Sequence, residues 1–266
     1  MESPSPAVAP LIEMRGISKF FGGVAALRAV DFAVAHHEVV ALLGDNGAGK
    51  STLIKALSGV QPPDEGEVLI EGRPVHLDTP KASKAAGIET VYQDLALCEN
   101  LDVTSNLFLG REIKRGPLGP ILSVFDSMRM AREARALFDR LNIEIPSLRT
   151  AVRYLSGGQR QSVAIAKAVY GKARVLIMDE PTAALGVVQT EKVLKLVREL
   201  SNAGIAVVYI SHIMEDVFKV ADRMVVLKNG RRVGERLAGQ TDRDEIVRMM
   251  ITGSDERAAP SAAGAP

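Results

Sequence analysis

The chain has one cysteine, Cys98, in 266 residues, which excludes an intrachain disulfide. With no Cys or His company at ligand spacing it also excludes a zinc centre, and an unpaired thiol suits a reducing compartment. No uninterrupted apolar run approaches the ~20 residues of a membrane-spanning helix, so any action at a membrane is expected to go through a partner. Charge of one sign is not in excess. The formal net charge is +1, which gives no reason to propose nucleic acid or an acidic lipid surface as a partner. The opening MESPSPAVAP lacks the basic start and apolar core of a signal peptide, and its prolines make residues 1–10 an expected disordered lead-in. Aromatic residues are only 4% of the chain, whereas hydrophobic residues reach 47%, ample for a sizeable core.

The most informative stretch is VVALLGDNGAGKST, residues 39–52, which fits G-x-x-x-x-G-K-[ST] with Gly44, Gly49, Lys50 and Ser51 in the fixed places. Residues 39–43 read as a buried strand. The small residues Gly44, Gly47, Ala48 and Gly49 let backbone N–H groups wrap closely around phosphates, and a helix beginning near Gly49 would aim its positive end at them. Lys50 would then meet the β- and γ-phosphates, and the Ser51 hydroxyl would ligate Mg²⁺.

Taken in order, residues 11–15 and 30–35 read as short strands separated by a loop holding Phe20, Phe21, Gly22 and Gly23. The aromatic pair is either core or supplies one ring, Phe21, to stack on a base. After the phosphate loop, Leu53, Ile54 and Leu57 give a helical apolar face that Gly59 ends. Residues 67–71 and 88–92 read as strands, the second leading to Gln93. From residue 94 to about 170 the pattern turns helical with arginine-rich polar faces, and residues 111–120 read as an exposed loop whose charges are a solvated face. LSGGQRQ follows at residues 155–161, with Ser156 a natural N-cap and Gly157 and Gly158 exposing N–H groups at a second anion-binding helix start. RVLIMDEP, residues 174–181, suits a strand buried on both faces with Asp179 and Glu180 at its carboxyl end. Residues 190–200 read as an amphipathic helix. Residues 206–210 are one more buried strand before Ser211 and His212, and Lys228-Asn229-Gly230-Arg231 is a hairpin turn. The Ala/Pro/Ser/Gly-rich residues 254–266 are an expected disordered tail.

Three buried strands thus end at residues 43, 178 and 210, each delivering polar groups next. In an open α/β sheet the ligand lies at the carboxyl ends of the strands, so residues 44–51, Asp179 with Glu180, and His212 are expected to converge. Asp179 would hold Mg²⁺ and Glu180 would orient and deprotonate an attacking water. His212 either contacts the γ-phosphate and that water or is an ordinary loop histidine.

The order of these pieces resembles the ATP-binding subunit of ATP-binding cassette (ABC) transporters, over residues 11–253. The matching pieces are Phe21, GDNGAGKST, the glutamine of VYQD, LSGGQRQ, LIMDEP and the histidine of ISH. The resemblance implies an α/β fold with a phosphate-loop core on a mostly parallel sheet, an N-terminal antiparallel β subdomain and a helical subdomain at about residues 94–170. It implies an ATPase in which Phe21 stacks on adenine and Gly44, Asp45, Asn46, Gly47, Ala48, Gly49, Lys50, Ser51 and Thr52 bind phosphates. Ser51, Gln93 and Asp179 serve Mg²⁺, Glu180 is the base and His212 senses the γ-phosphate. Ser156, Gly157, Gly158 and Gln159 act in trans, because two copies meet head to tail around two ATP molecules. Separate membrane permease subunits dock near Gln93, placing the chain peripherally on the cytoplasmic face of the inner membrane.

GIETVYQDLAL, FLGREI, EPTAALG and IVRMMITG look most like bacterial importers of simple sugars of the ribose, xylose and fructose kind, fed by an extracytoplasmic sugar-binding protein. One phosphate loop and one signature imply a single-domain subunit. Another cargo (amino acid, lipid or drug) and a soluble non-transport ATPase stay open as alternatives. Two departures stand out: Gly186 replaces the usual aspartate after Glu180, and His37 stands where glycine is common.

Overall fold

The computed structural model describes residues 10–115 and 124–255. Residues 1–9 of the expected lead-in, 116–120 of the expected loop and 256–266 of the expected tail lie outside the described residues.

The chain opens with β1 (Ile12–Phe21) and β2 (Val24–Val34), an antiparallel pair closed at Phe21 and Val24 by Gly22 and Gly23. The two short strands and long loop expected here are therefore replaced by one long hairpin, with both aromatics inside β1. The alternation was hidden because the ladder shifts register between Met14 and Ile17 and again near Lys19, and each bulge breaks the period of two. Local bonds stabilise the irregular stretch: Asp31 Oδ1 accepts from the Gly16 N–H at 2.8 Å and Ser18 Oγ from the Ala29 N–H at 3.1 Å.

Next come β3 (Val39–Leu43), α1 (Lys50–Leu57), β4 (Glu65–Ile70), β5 (Arg73–Val75), α2 (Pro80–Ala85) and β6 (Ile88–Val91). The helical insert holds α3 (Val103–Phe108), α4 (Ser127–Arg140) and α5 (Gly157–Tyr170). It also holds a two-residue ribbon not expected from sequence, β7 (Lys114–Arg115) against β8 (Val124–Phe125), so part of the 111–120 loop is paired; strands this short carry no readable period. The chain then runs through β9 (Val175–Asp179), α6 (Val187–Asn202), β10 (Ala206–Ile210), α7 (Met214–Val220), β11 (Arg223–Lys228), β12 (Arg231–Leu237) and α8 (Arg243–Thr252).

Among the described residues, one sheet has the order β2-β1-β4-β5 and is antiparallel. The other has the order β12-β11-β3-β10-β9-β6 and is parallel except at β12. The central strands lie between two apolar layers, and their residues alternate between them. Val39, Ala41 and Leu43 of β3 join Leu107, Phe138, Ile165 and Val197 on the helical side, whereas Val40 and Leu42 join Leu53, Leu57, Phe32 and Leu27 on the side of α1 and the antiparallel sheet. Burial on both faces is why β3, β9 and β10 read as unbroken apolar runs. Each fully buried aliphatic side chain contributes ~1.5–3 kcal/mol, so this double layer fixes the strand ends firmly.

The turn into β3 explains one departure from the family pattern. His37 has φ +58°, left-handed backbone in which glycine is unstrained, and its carbonyl accepts from Ser201 Oγ at 2.6 Å.

Candidate functional site

The phosphate loop joins β3 to α1 through backbone that only small residues tolerate. Gly44 has φ +148°, and a Cβ there would stand 2.3 Å from the Leu227 carbonyl oxygen of β11. Gly47 has φ +79° and faces open space, so its requirement is conformational alone. The β11–β12 turn braces the loop from below: the Gly230 N–H donates to Ala48 O at 3.0 Å, and the Arg28 N–H donates to Gly230 O at 2.8 Å. That Asn229-Gly230 turn is legible as a hairpin in the sequence, but its support of the phosphate loop is not.

Lys50 folds back over the loop, its Nζ donating to Gly44 O at 2.6 Å and Asp45 O at 3.0 Å. Burial holds its ammonium below the usual lysine range, against the opposing pull of Glu180, Asp179 and Asp45. Asp45, Asn46, Gly47 and Ser51 are exposed, Gly49 and Thr52 half-buried, and Ala48 buried. An exposed glycine-rich loop beside a partly desolvated cation suits an anion.

Strand pairing brings the acids to this loop. β10 lies between β3 and β9, and Ile210 pairs with Asp179. Burial, then the neighbouring Glu180, pushes the Asp179 carboxyl above the usual carboxylate range, while Lys50 pulls it down. Glu180 has φ +51°, strained for a residue with a side chain, and is pinned there by its N–H bond to Ile210 O at 2.9 Å. His212 Nδ1 lies 2.9 Å from Glu180 Oε1, and Glu180 Oε2 is buried with no hydrogen-bond partner in the protein. Gln93 is exposed two residues after β6 and lines the same pocket as Glu180. The expected convergence of residues 44–51, Asp179, Glu180 and His212 is thus present, with Gln93 at its edge.

Two further expected pieces, the aromatic pair and the start of α5, make no hydrogen bond to the phosphate loop among the described residues, although Gly157 lines the same pocket as Glu180. Phe20 and Phe21 are 44% and 46% exposed, which removes the option that both are core. The Lys19 ammonium sits 6.0 Å from the Phe21 ring centroid and is anchored by Pro62 O at 2.7 Å and Asp64. No hydrogen bond or ion pair among the described residues joins Ser156, Gly157, Gly158 or Gln159 to residues 44–52. Ser156 caps α5 as expected. Sequence reasoning missed that Gln159 completes a capping box, its Oε1 accepting from the Ser156 N–H at 2.9 Å while Ser156 Oγ accepts from the Gln159 N–H at 3.3 Å. The S-x-x-Q spacing was the available signal. Gly158 packs α5 on α6, where a Cβ would lie 2.9 Å from Gln189 Cβ.

Among the described residues no group of three or more His, Cys, Asp and Glu side chains gathers to hold a metal by itself. The oxygen donors of Ser51, Gln93 and Asp179 are of the kind that suits Mg²⁺ shared with substrate phosphates. A desolvated Asp179 beside Glu180 gains from a nearby cation, so the donor set fits a nucleotide with its divalent ion.

Residues 27–183 match the family described as ABC transporter. The chain is 44% identical over 243 residues to the xylose/arabinose import ATP-binding protein of Sulfolobus acidocaldarius, covering 91% of this chain and 94% of that one. It is 47% identical over 251 residues to a ribose import ATP-binding protein of Rubrobacter xylanophilus, covering 94% of this chain but 49% of that relative, and so spans about half its length. A nucleotide-free ATP-binding cassette from an ABC transporter superposes with a TM-score of 0.77 at 25% identity, covering 93% of this chain and 96% of that one. A dimeric ATP-binding cassette in a post-hydrolysis state with ADP and Pi gives a TM-score of 0.71 at 26% identity, covering 85% and 98%. With the fold, the phosphate loop and the strand-end acids in agreement, the chain belongs to the ABC transporter family as one of its ATP-hydrolysing cassettes.

Proposed function

We propose that two copies of this chain close head to tail around two ATP molecules and that this closure drives uptake of a simple sugar through separate membrane subunits. The observation that carries the catalytic part is the meeting of Lys50, Asp179, Glu180 and His212 at the ends of three adjacent parallel strands. In this reading Phe21 stacks on adenine and residues 44–52 cradle the phosphates. The Lys50 ammonium exchanges its two carbonyl partners for phosphate oxygens. Ser51, Gln93 and Asp179 would hold Mg²⁺, whose positive charge would offset negative charge that develops on the phosphates. Glu180 accepts the proton of the attacking water at a carboxylate oxygen, and His212 fixes that carboxylate through Oε1.

Ser156 is exposed, Gly157 and Gln159 are half-buried and Gly158 is buried; none of them has a bond to its own phosphate loop, so in this reading the start of this helix meets the other copy's nucleotide. The similar cassette solved as a dimer with ADP and Pi supports pairing of this kind. The sugar cargo is supported by the import functions carried in the names of the similar proteins from Sulfolobus acidocaldarius and Rubrobacter xylanophilus. No helix among the described residues is long and apolar enough to cross a membrane. In this reading the chain attaches peripherally, at the cytoplasmic face, to permease subunits that a sugar-binding protein feeds.

Tagged Glu180→Gln protein pulled from detergent-solubilised membranes of its host with ATP present tests this reading. A polytopic membrane protein in the eluate, with uptake of a labelled pentose or hexose lost in the deletion strain, supports it. Unchanged uptake across pentoses and hexoses removes the sugar cargo.

A further inference from the structure

Two buried side-chain atoms among the described residues have no hydrogen-bond partner in the protein: Gln161 Nε2, a donor, and Glu180 Oε2, an acceptor. Both residues line one pocket of about 250 Å³, together with Gln93, Gly157, Pro181 and Leu185. Gln161 is 5% exposed, so its amide cannot turn to bulk solvent instead. Buried polar groups are nearly always paired, through protein or ordered water, and a water fills ~30 Å³ and needs two to four polar partners. A donor and an acceptor on the lining of one pocket of this size, whose lining is part polar and part apolar, supply two such partners and the room for a water.

We infer that Gln161 is a positioning residue for Glu180, holding its Oε2 through ordered water in this pocket. The inference rests on the proposed role of Glu180 as base and extends it to the helix that carries the signature. His212 fixes Oε1 and the Glu180 N–H bond fixes the backbone, which leaves the second oxygen to set the tilt of the carboxylate. Gln161 lies in α5, whose first residues include Gly157, Gly158 and Gln159. A helix moves as a rigid element, so a displacement of its start on engaging the other copy's nucleotide carries Gln161 with it.

The test uses Gln161→Met, of similar length without the donor, and Gln161→Asn, which keeps a donor that water can extend. In Gln161→Met the hydrolysis rate at saturating ATP falls about tenfold, while KM, ATP affinity and ATP-dependent dimerisation stay within roughly twofold of wild type. Gln161→Asn recovers most of the rate. A high-resolution crystal structure of the nucleotide-free wild type places water between Nε2 and Oε2, and the Met variant shows Glu180 in an altered rotamer. Wild-type turnover in Gln161→Met overturns the inference, and so does a dry pocket. A parallel loss of rate, ATP affinity and melting temperature in both variants overturns it too, since it marks a packing role. Normal turnover in Glu180→Gln would instead remove the reading of Glu180 as base beneath it.

Discussion

His212 grips Glu180 by one oxygen, Nδ1 standing 2.9 Å from Oε1 while Oε2 faces a pocket without a protein partner. The carboxylate is therefore oriented but not saturated, which is the condition a base needs if it is to accept a proton. The two side chains differ in exposure, 17% for Glu180 and 70% for His212, so the histidine is the part that solvent or a ligand reaches first.

Glu180→Gln keeps the size of the side chain and removes the proton acceptor. ATP turnover is expected to fall by about 10²–10⁴, the usual range for a lost general base, with ATP affinity retained. Because hydrolysis would no longer dissolve the closed state, ATP should hold the variant as a dimer in size-exclusion chromatography. A variant that stays monomeric at saturating ATP would speak against the signature acting in trans.

Lys50→Ala removes the ammonium that bridges Gly44 O and Asp45 O. A hydrogen bond to a charged group is worth ~1.5–3 kcal/mol, so ATP affinity measured by titration calorimetry should weaken about 10- to 100-fold. Binding as tight as wild type would take Lys50 out of the phosphate site.

Lys167 supplies a pH-dependent prediction away from the nucleotide. Burial, reinforced by Lys84 and Arg111, holds its ammonium below the usual lysine range, against Cys98 and Glu89. The unfolded chain therefore binds this proton more readily than the fold does, and stability linked to Lys167 rises with pH toward 10.5. At pH 7.5 the charged, partly buried group is a cost, so Lys167→Met should raise the melting temperature. The gain should shrink as the pH approaches 10, a trend that scanning fluorimetry over pH 7–10 reads directly; a lower melting temperature at pH 7.5 would contradict it.

Legibility in the sequence followed burial. The strands ending at Leu43, Asp179 and Ile210 could be read because both of their faces are buried, and their convergence followed from the chemistry at their ends. The β1–β2 hairpin was misjudged because bulges near Gly16 and Lys19 scramble a period of two that short windows rely on. The β7–β8 ribbon was invisible because Lys114–Arg115 and Val124–Phe125 pair through backbone, which carries no side-chain pattern. The capping role of Gln159 was in plain view as spacing but was masked by a functional reading of the same residue. The bracing of Gly44 and Ala48 by Leu227 and Gly230 depends on β11 lying beside β3, a tertiary neighbour that no local pattern announces.

His37 gives the last prediction, and it concerns stability alone. Its φ of +58° places an L-residue where the left-handed region costs about 1–2 kcal/mol, a penalty glycine does not carry. Against this, glycine adds ~0.4–1 kcal/mol of unfolded-state freedom, and the His37 ring gives up its packing beside Gly204, where a Cβ would stand 3.4 Å from Cε1. The hydrogen bond from Ser201 Oγ goes to the His37 carbonyl and survives any side-chain change. His37→Gly should therefore stabilise the fold by about 0.5 kcal/mol, a rise of about 1–2 °C in melting temperature, with ATP turnover unchanged. His37→Ala retains the strain and loses the ring, so it should melt below wild type. The opposite order, alanine above glycine, would mean that the ring rather than the backbone governs this turn.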